Sequence, residues 1–137
     1  MKNKFHSVLL IDDSIPINYF HKIIVEKSGI ALSCIAVNNG QEALDYLQLK
    51  QDASERFPEL ILVDINMPVL NGWEFLETFR AKHKAIFNEV VTVMLTTSIN
   101  PDDKEKAKEL DVPNYLLKPL TVKVLENLRD SYFKGQL

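Results

Sequence analysis

Three aspartates, a pair of threonines and a lysine each close a short apolar run in this sequence. Val8-Leu9-Leu10-Ile11 stops at Asp12-Asp13, Leu60-Ile61-Leu62-Val63 at Asp64, Val90 to Leu95 at Thr96-Thr97, and Val112 to Leu117 at Lys118. Runs of this length and β-rich composition read as buried strands, so these polar residues stand at strand carboxyl ends. Gathered in one place, three carboxylates repel one another, and the conflict is relieved by protonating one of them or by sharing a cation. Carboxylate oxygens with backbone carbonyls and water suit Mg²⁺, whereas the His, Cys and Glu that a zinc site would draw on are missing from these strand ends. With two carboxylates holding metal, the third is free to attack phosphorus. A lysine ammonium and a threonine hydroxyl would then stabilise the equatorial oxygens of an in-line transfer. That is aspartyl-phosphate chemistry with Mg²⁺ as the expected cofactor.

Taken singly, each residue has a plainer reading. An aspartate after a strand often caps the next helix or forms a turn, a threonine there makes local hydrogen bonds, and a lysine is usually solvated. The elements between the runs decide the matter. From Ser14, Ile17, Phe20 and Ile23-Ile24 recur at helical spacing, with Pro16 in the first turn and Gly29 after the last, which predicts a first helix buried along that stripe. Leu32 to Val37 reads as a second strand, Asn39-Gly40 as a turn, and Gln41 to Lys50 as a second helix. Trp73, Phe75-Leu76 and Phe79 carry a third helix, Pro101 to Leu110 a fourth, and Val124, Leu125, Leu128 and Tyr132 a fifth.

Five strand-then-helix units predict an α/β fold with a five-stranded all-parallel sheet covered on both faces, because a parallel pair needs a crossover helix. At this length the expected architecture is the flavodoxin-like three-layer α/β/α sandwich with strand order 2-1-3-4-5. Its crevice opens at the carboxyl ends of strands 1 and 3, beside Asp12, Asp13 and Asp64.

The 137 residues are 46% hydrophobic and 26% charged, the balance of a single domain over 1–137 with its core at about 6–133. A formal charge of −3 offers no basic excess for nucleic acid or a membrane surface. No stretch approaches the ~18 apolar residues of a membrane span, and the N-terminus lacks a signal-peptide core. The single cysteine, Cys34, excludes an internal disulfide and reads as a buried inert thiol, which suits a cytoplasmic protein. His6, His21 and His83 are scattered and read as structural or surface residues, and Trp73 with Phe75 and Phe79 as helix packing.

Four stretches, Val8-Leu-Leu-Ile-Asp-Asp13, Leu62-Val-Asp-Ile-Asn-Met-Pro-Val-Leu-Asn-Gly72, Met94-Leu-Thr-Thr97 and Tyr115-Leu-Leu-Lys-Pro119, together resemble the receiver (CheY-like) domain of two-component response regulators. The resemblance covers essentially the whole chain. It implies Asp64 as phosphoacceptor, Asp13 and Asp64 as direct Mg²⁺ ligands, the backbone carbonyl of Asn66 as another, and Asp12 acting through a bound water. It implies that Lys118 pairs with the carboxylate and then the phosphoryl group, that Thr96 swings its hydroxyl onto the phosphate, and that Tyr115 turns inward behind it. It also implies a cis bond at Lys118–Pro119 and a role for Ser98 in tuning access of hydrolytic water.

The function so implied is that of a stand-alone response regulator without an output domain and not an enzyme in its own right. It would take a phosphoryl group from a histidine kinase or histidine phosphotransfer protein. It would signal to a separate protein through the fourth helix, fifth strand and fifth helix. The sparse apolar content of Pro101 to Leu110 suits a helix that shifts at little cost. Two alternatives are a phosphorylation-independent receiver-like interaction module and a Mg²⁺-dependent phosphohydrolase of the haloacid dehalogenase type. The complete Asp, Thr and Lys set argues against the first, and the absence of Asp-x-Asp after the first strand against the second.

Overall fold

The computed structural model describes residues 3–98, 100–112 and 114–135. Among them, strands β1 (Phe5–Ile11), β2 (Ala31–Val37), β3 (Leu60–Asp64), β4 (Val91–Thr96) and β5 (Tyr115–Leu117) alternate with helices. The helices are α1 (Ile15–Ser28), α2 (Gly40–Asp52), α3 (Gly72–Lys82), a single turn α4 (Lys84–Phe87), α5 (Pro101–Glu109) and α6 (Val122–Phe133). The strands form one sheet in the order β2-β1-β3-β4-β5, and every neighbouring pair is parallel. This is the doubly wound arrangement expected from the alternation of apolar runs and helices.

Alternate strand residues feed two cores, as the period of two in a strand requires. Leu9, Ile11, Ile61 and Val63 pack with α2, α3 and α5, while Val8, Leu10, Leu60 and Leu62 pack with residues of α1 and α6. All five residues of β3 are buried, consistent with a central strand covered on both faces. The register sets Ile11 opposite Val63, Asp64 opposite Leu95 and Thr96 opposite Leu117, so the strand ends finish at one level.

Three local expectations are corrected. The fully buried residues of α1 are Asn18, His21, Val25 and Ser28; of the Ile17, Phe20, Ile23-Ile24 stripe, Ile24 packs half-buried against the core and Phe20 is 43% exposed. A polar stripe can be buried when its groups find partners: the Asn18 amide nitrogen and His21 Nε2 do, while Asn18 Oδ1 and His21 Nδ1 have none among the described residues. The fifth strand begins at Tyr115 rather than Val112, because Val112 belongs to the close of α5. Its amide donates to the Ala107 carbonyl at 2.8 Å and that of Asp111 to Lys108 at 3.2 Å, with Asp111 left-handed at φ 58, the pattern of a Schellman cap. Pro113 lies outside the described residues. Finally, α4 follows α3: His83 breaks the helix at φ −132, ψ 52, and the amides of Ile86 and Phe87 restart it on the His83 carbonyl. The fourth and fifth helices of the sequence reading are therefore α5 and α6.

Candidate functional site

Asp12 and Asp13 follow β1, Asp64 ends β3, Thr96 ends β4 and Lys118 follows β5, so adjacent strands deliver all of them to one end of the sheet. Oxygens from Asp12, Asp13 and Asp64 lie within 4.8 Å of one another. Asp12 and Asp64 are buried at 1% and 3% exposure, while Asp13 is exposed. The Lys118 Nζ donates to Asp12 Oδ2 at 2.9 Å and lies 3.3 Å from Asp64 Oδ1. The ammonium thus spans two carboxylates and sits closer to Asp12, where the sequence reading considered only its pairing at the acceptor.

Backbone groups fix the carboxylates. Asp12 Oδ1 accepts from the Ser14 amide at 2.9 Å, and the Ser14 hydroxyl caps α1 by accepting from Ile17, so the turn after β1 is held by its own side chains. Asn18, buried in the first turns of α1, donates its amide to the Asp12 carbonyl at 2.9 Å and the Val37 carbonyl at 2.8 Å. It therefore ties the ends of β1 and β2 to α1. Asp64 Oδ1 accepts from the Asn66 amide at 3.2 Å. Gly72 begins α3 directly against this strand end: a Cβ there would lie 2.5 Å from the Asp64 carbonyl oxygen and 2.9 Å from Met94 Cε. Only glycine allows that approach, and the Asn71–Glu74 capping box starts the helix there.

Burial pushes the Asp64 carboxyl above its ordinary range, the neighbouring Asp12 charge adds to this, and Lys118 and the Asn66 amide oppose it. Burial works against the Lys118 ammonium, but its hydrogen bond to Asp12 and the charge of Asp64 outweigh it and hold the amine above the usual lysine value. Three carboxylates against one ammonium leave excess negative charge, and Asp13 has no ion-pair or hydrogen-bond partner among the described residues. A hard divalent cation fits this all-oxygen donor set, in which one carboxylate stays open to solvent.

The Thr96 hydroxyl, 1% exposed, donates to the Ser98 carbonyl at 2.6 Å and accepts from the Ser98 amide at 3.2 Å. It is engaged by the β4–α5 loop. Tyr115 is 38% exposed and borders a surface cleft with Lys104, Ala107 and Lys108 of α5. The Lys118–Pro119 peptide bond is cis.

A family model described as the response regulator receiver domain matches residues 8–129. The chain belongs to that family. A two-component response regulator from Cytophaga hutchinsonii, known from a crystal structure, is 33% identical with a TM-score of 0.86, over 96% of this chain and 98% of that one. The chemotaxis protein CheY homolog of Campylobacter jejuni is 30% identical over 90% of this chain and 89% of its own length. The transcriptional regulatory protein CitT of Halalkalibacterium halodurans is 31% identical over 94% of this chain, which spans 53% of that protein. The chain likewise spans about half the length, or less, of several other curated relatives.

Two features of this receiver escaped sequence reasoning. Asn18 and His21 are inward-facing polar residues on α1 whose 18-21-25-28 spacing is helical, but the competing apolar stripe masked it. Trp73 does pack in the core at 6% exposure, yet its Nε1 also donates to Asp103 Oδ1 at 3.2 Å, joining the first turns of α3 and α5. Ala107, with Leu110 and Val112 just beyond the helix, anchors the C-terminal half of α5 in the core, and this bond ties down its first turn. Asp103→Ala is expected to cost about 1 kcal/mol. It should raise amide exchange along α5 while leaving β3 and β4 protected, as hydrogen-exchange mass spectrometry would read. Among the described residues, no helix is long and apolar enough to cross a membrane.

Proposed function

We propose that this receiver is a phosphorylation switch whose acceptor is Asp64. The observation that carries the reading is the burial of Asp64 between a second carboxylate and an ammonium, with Lys118 3.3 Å from its Oδ1. In the transfer, an Asp64 carboxylate oxygen bonds to phosphorus as the phosphorus–nitrogen bond of a phosphohistidine breaks. The departing imidazole keeps the electron pair and takes a proton from solvent. The donor is a histidine kinase or a histidine phosphotransfer protein. Asp13 and Asp64 would hold Mg²⁺ directly, with the Asn66 carbonyl as a further ligand and Asp12 acting through water. Bound there, the ion supplies positive charge against the phosphoryl oxygens.

Lys118 passes from the carboxylates to the phosphoryl group. Thr96 gives up the Ser98 carbonyl and donates to a phosphoryl oxygen, which frees the β4–α5 loop. Tyr115 turns inward into the space so vacated. The face of α5, β5 and α6 then meets a downstream protein. Transfer to itself and slow self-hydrolysis serve the protein's own state, so it is not an enzyme. A cytoplasmic setting agrees with the lone thiol of Cys34, which burial pushes up to about 12 and so keeps unreactive.

Incubation with acetyl phosphate should add a single phosphoryl group by intact mass when Mg²⁺ is present and none when it is chelated. Amide exchange over α5, β5 and α6 should change with a phosphoryl analogue. An unmodified folded protein would favour the phosphorylation-independent module, and brisk multiple turnover of phosphate esters the hydrolase.

A further inference from the structure

His21 has no place in the chemistry above, yet it is 1% exposed on the inner face of α1. Its Nε2 accepts a hydrogen bond from the Leu120 amide at 3.3 Å, across 99 residues of sequence. Leu120 lies two residues beyond Lys118. The Lys118 amide donates to the Thr96 carbonyl at 2.8 Å, which holds that residue to the sheet. Pro119 has no amide hydrogen to give. The backbone carrying Lys118 is therefore pinned by two amides, one to β4 before the proline and one to α1 after it, and His21 supplies the second anchor.

We propose that His21 is a positioning residue for Lys118. Acting through the Leu120 amide, it sets where the ammonium stands between Asp12 and Asp64 and hence how well it meets the phosphoryl group. An accepting Nε2 places the ring proton on Nδ1, which is buried without a partner among the described residues. An apolar side chain would avoid that unpaired donor but would orphan the Leu120 amide. Neutrality is required, since an imidazolium has no acceptor. Burial lowers the tendency of His21 to protonate, with the Asp12 charge opposing this and the Lys118 charge reinforcing it. Asn18, one turn earlier on the same face, holds the Asp12 backbone, so one helix face governs both members of the Asp12–Lys118 pair.

This inference rests on the phosphoacceptor reading for its kinetic consequence but not for its geometry, and the experiment separates the two. In the unphosphorylated wild-type protein, a ¹⁵N–¹⁵N scalar coupling between the Leu120 amide and His21 Nε2 is expected by NMR; its absence overturns the proposal whether or not any variant folds. His21→Phe removes the acceptor and His21→Gln keeps one. The Phe variant should shift the Lys118 side-chain resonance. It should also slow phosphorylation at saturating acetyl phosphate roughly tenfold without changing Mg²⁺ affinity, and the Gln variant should recover most of the rate. An unshifted Lys118 resonance in folded His21→Phe, or equal rate losses in both variants, would overturn the role assigned to His21. No adduct on wild type, with the coupling present and the resonance shifted, would instead count against the phosphoacceptor reading alone.

Discussion

Asp64→Asn is expected to remain at its unmodified mass after exposure to acetyl phosphate and Mg²⁺, under conditions where the parent protein gains one phosphoryl group. The amide keeps the size and the acceptor oxygen but has no anionic oxygen to bond to phosphorus. Asp12 and Asp13 remain in the variant, so an adduct there would show that the nucleophile had been assigned to the wrong carboxylate. The same variant should be more stable than its parent in metal-free buffer at pH 7. The folded protein holds the Asp64 pKa above its ordinary 3.8, chiefly by burial. From 3.8 up to that raised value the folded state binds more protons than the unfolded one, so this group's contribution to stability falls as pH rises through that window. At pH 7 the cost of the buried charge is complete, and the neutral amide removes it. A higher urea midpoint than the parent's is expected at pH 7, because the variant no longer carries the buried charge that the fold disfavours. A loss of stability at pH 7 would mean that the Lys118 contact outweighs desolvation and the Asp12 repulsion.

Lys118→Met should be the most destabilising change at the site. Methionine replaces much of the aliphatic stem, but it removes the only ammonium within salt-bridge distance of Asp12 and Asp64 among the described residues. Breaking a buried pair from one side leaves the other charge uncompensated, so a loss of about 3 kcal/mol is expected at pH 7.5 without metal. In the parent, Lys118 has its pKa raised above 10.5, so its stabilising contribution is present throughout the neutral range and lost only as pH rises through the folded value. In the variant, the buried Asp64 carboxyl, already raised by burial, can instead be relieved by protonation. The deficit should therefore shrink as pH falls from 7.5 towards about 5, where the folded state takes up protons that the unfolded state does not. Mg²⁺ should also recover part of it by binding the folded state alone. A deficit that ignored both pH and Mg²⁺ would trace to packing around the lysine stem and not to charge. Urea titrations at the two pH values, with and without metal, make the comparison.

The sheet order and the gathering of Asp12, Asp13, Asp64, Thr96 and Lys118 were legible in the sequence because they depend on local patterns. Apolar runs of strand length, helices of crossover length between them and polar residues at the runs' ends leave little choice of topology. The cap of α1 was legible only in part: Pro16 and Gly29 marked the two ends, while the buried face was misread. Periodicity cannot choose between an apolar stripe through Phe20 and a polar one through Asn18 and His21 when both repeat at helical spacing. The choice is made by the acceptors and donors that await α1 at the ends of β1 and β2 and at Leu120.

In the same way, a buried ammonium shared between Asp12 and Asp64, a Thr96 hydroxyl engaged by Ser98, and a Trp73 indole reaching Asp103 are decided by where other elements arrive. By itself, then, the sequence determined which residues stand at the strand ends. Tertiary structure alone decided which of them touch, because a hydrogen bond between residues 99 or 106 positions apart is a property of packed elements and leaves no period in the chain.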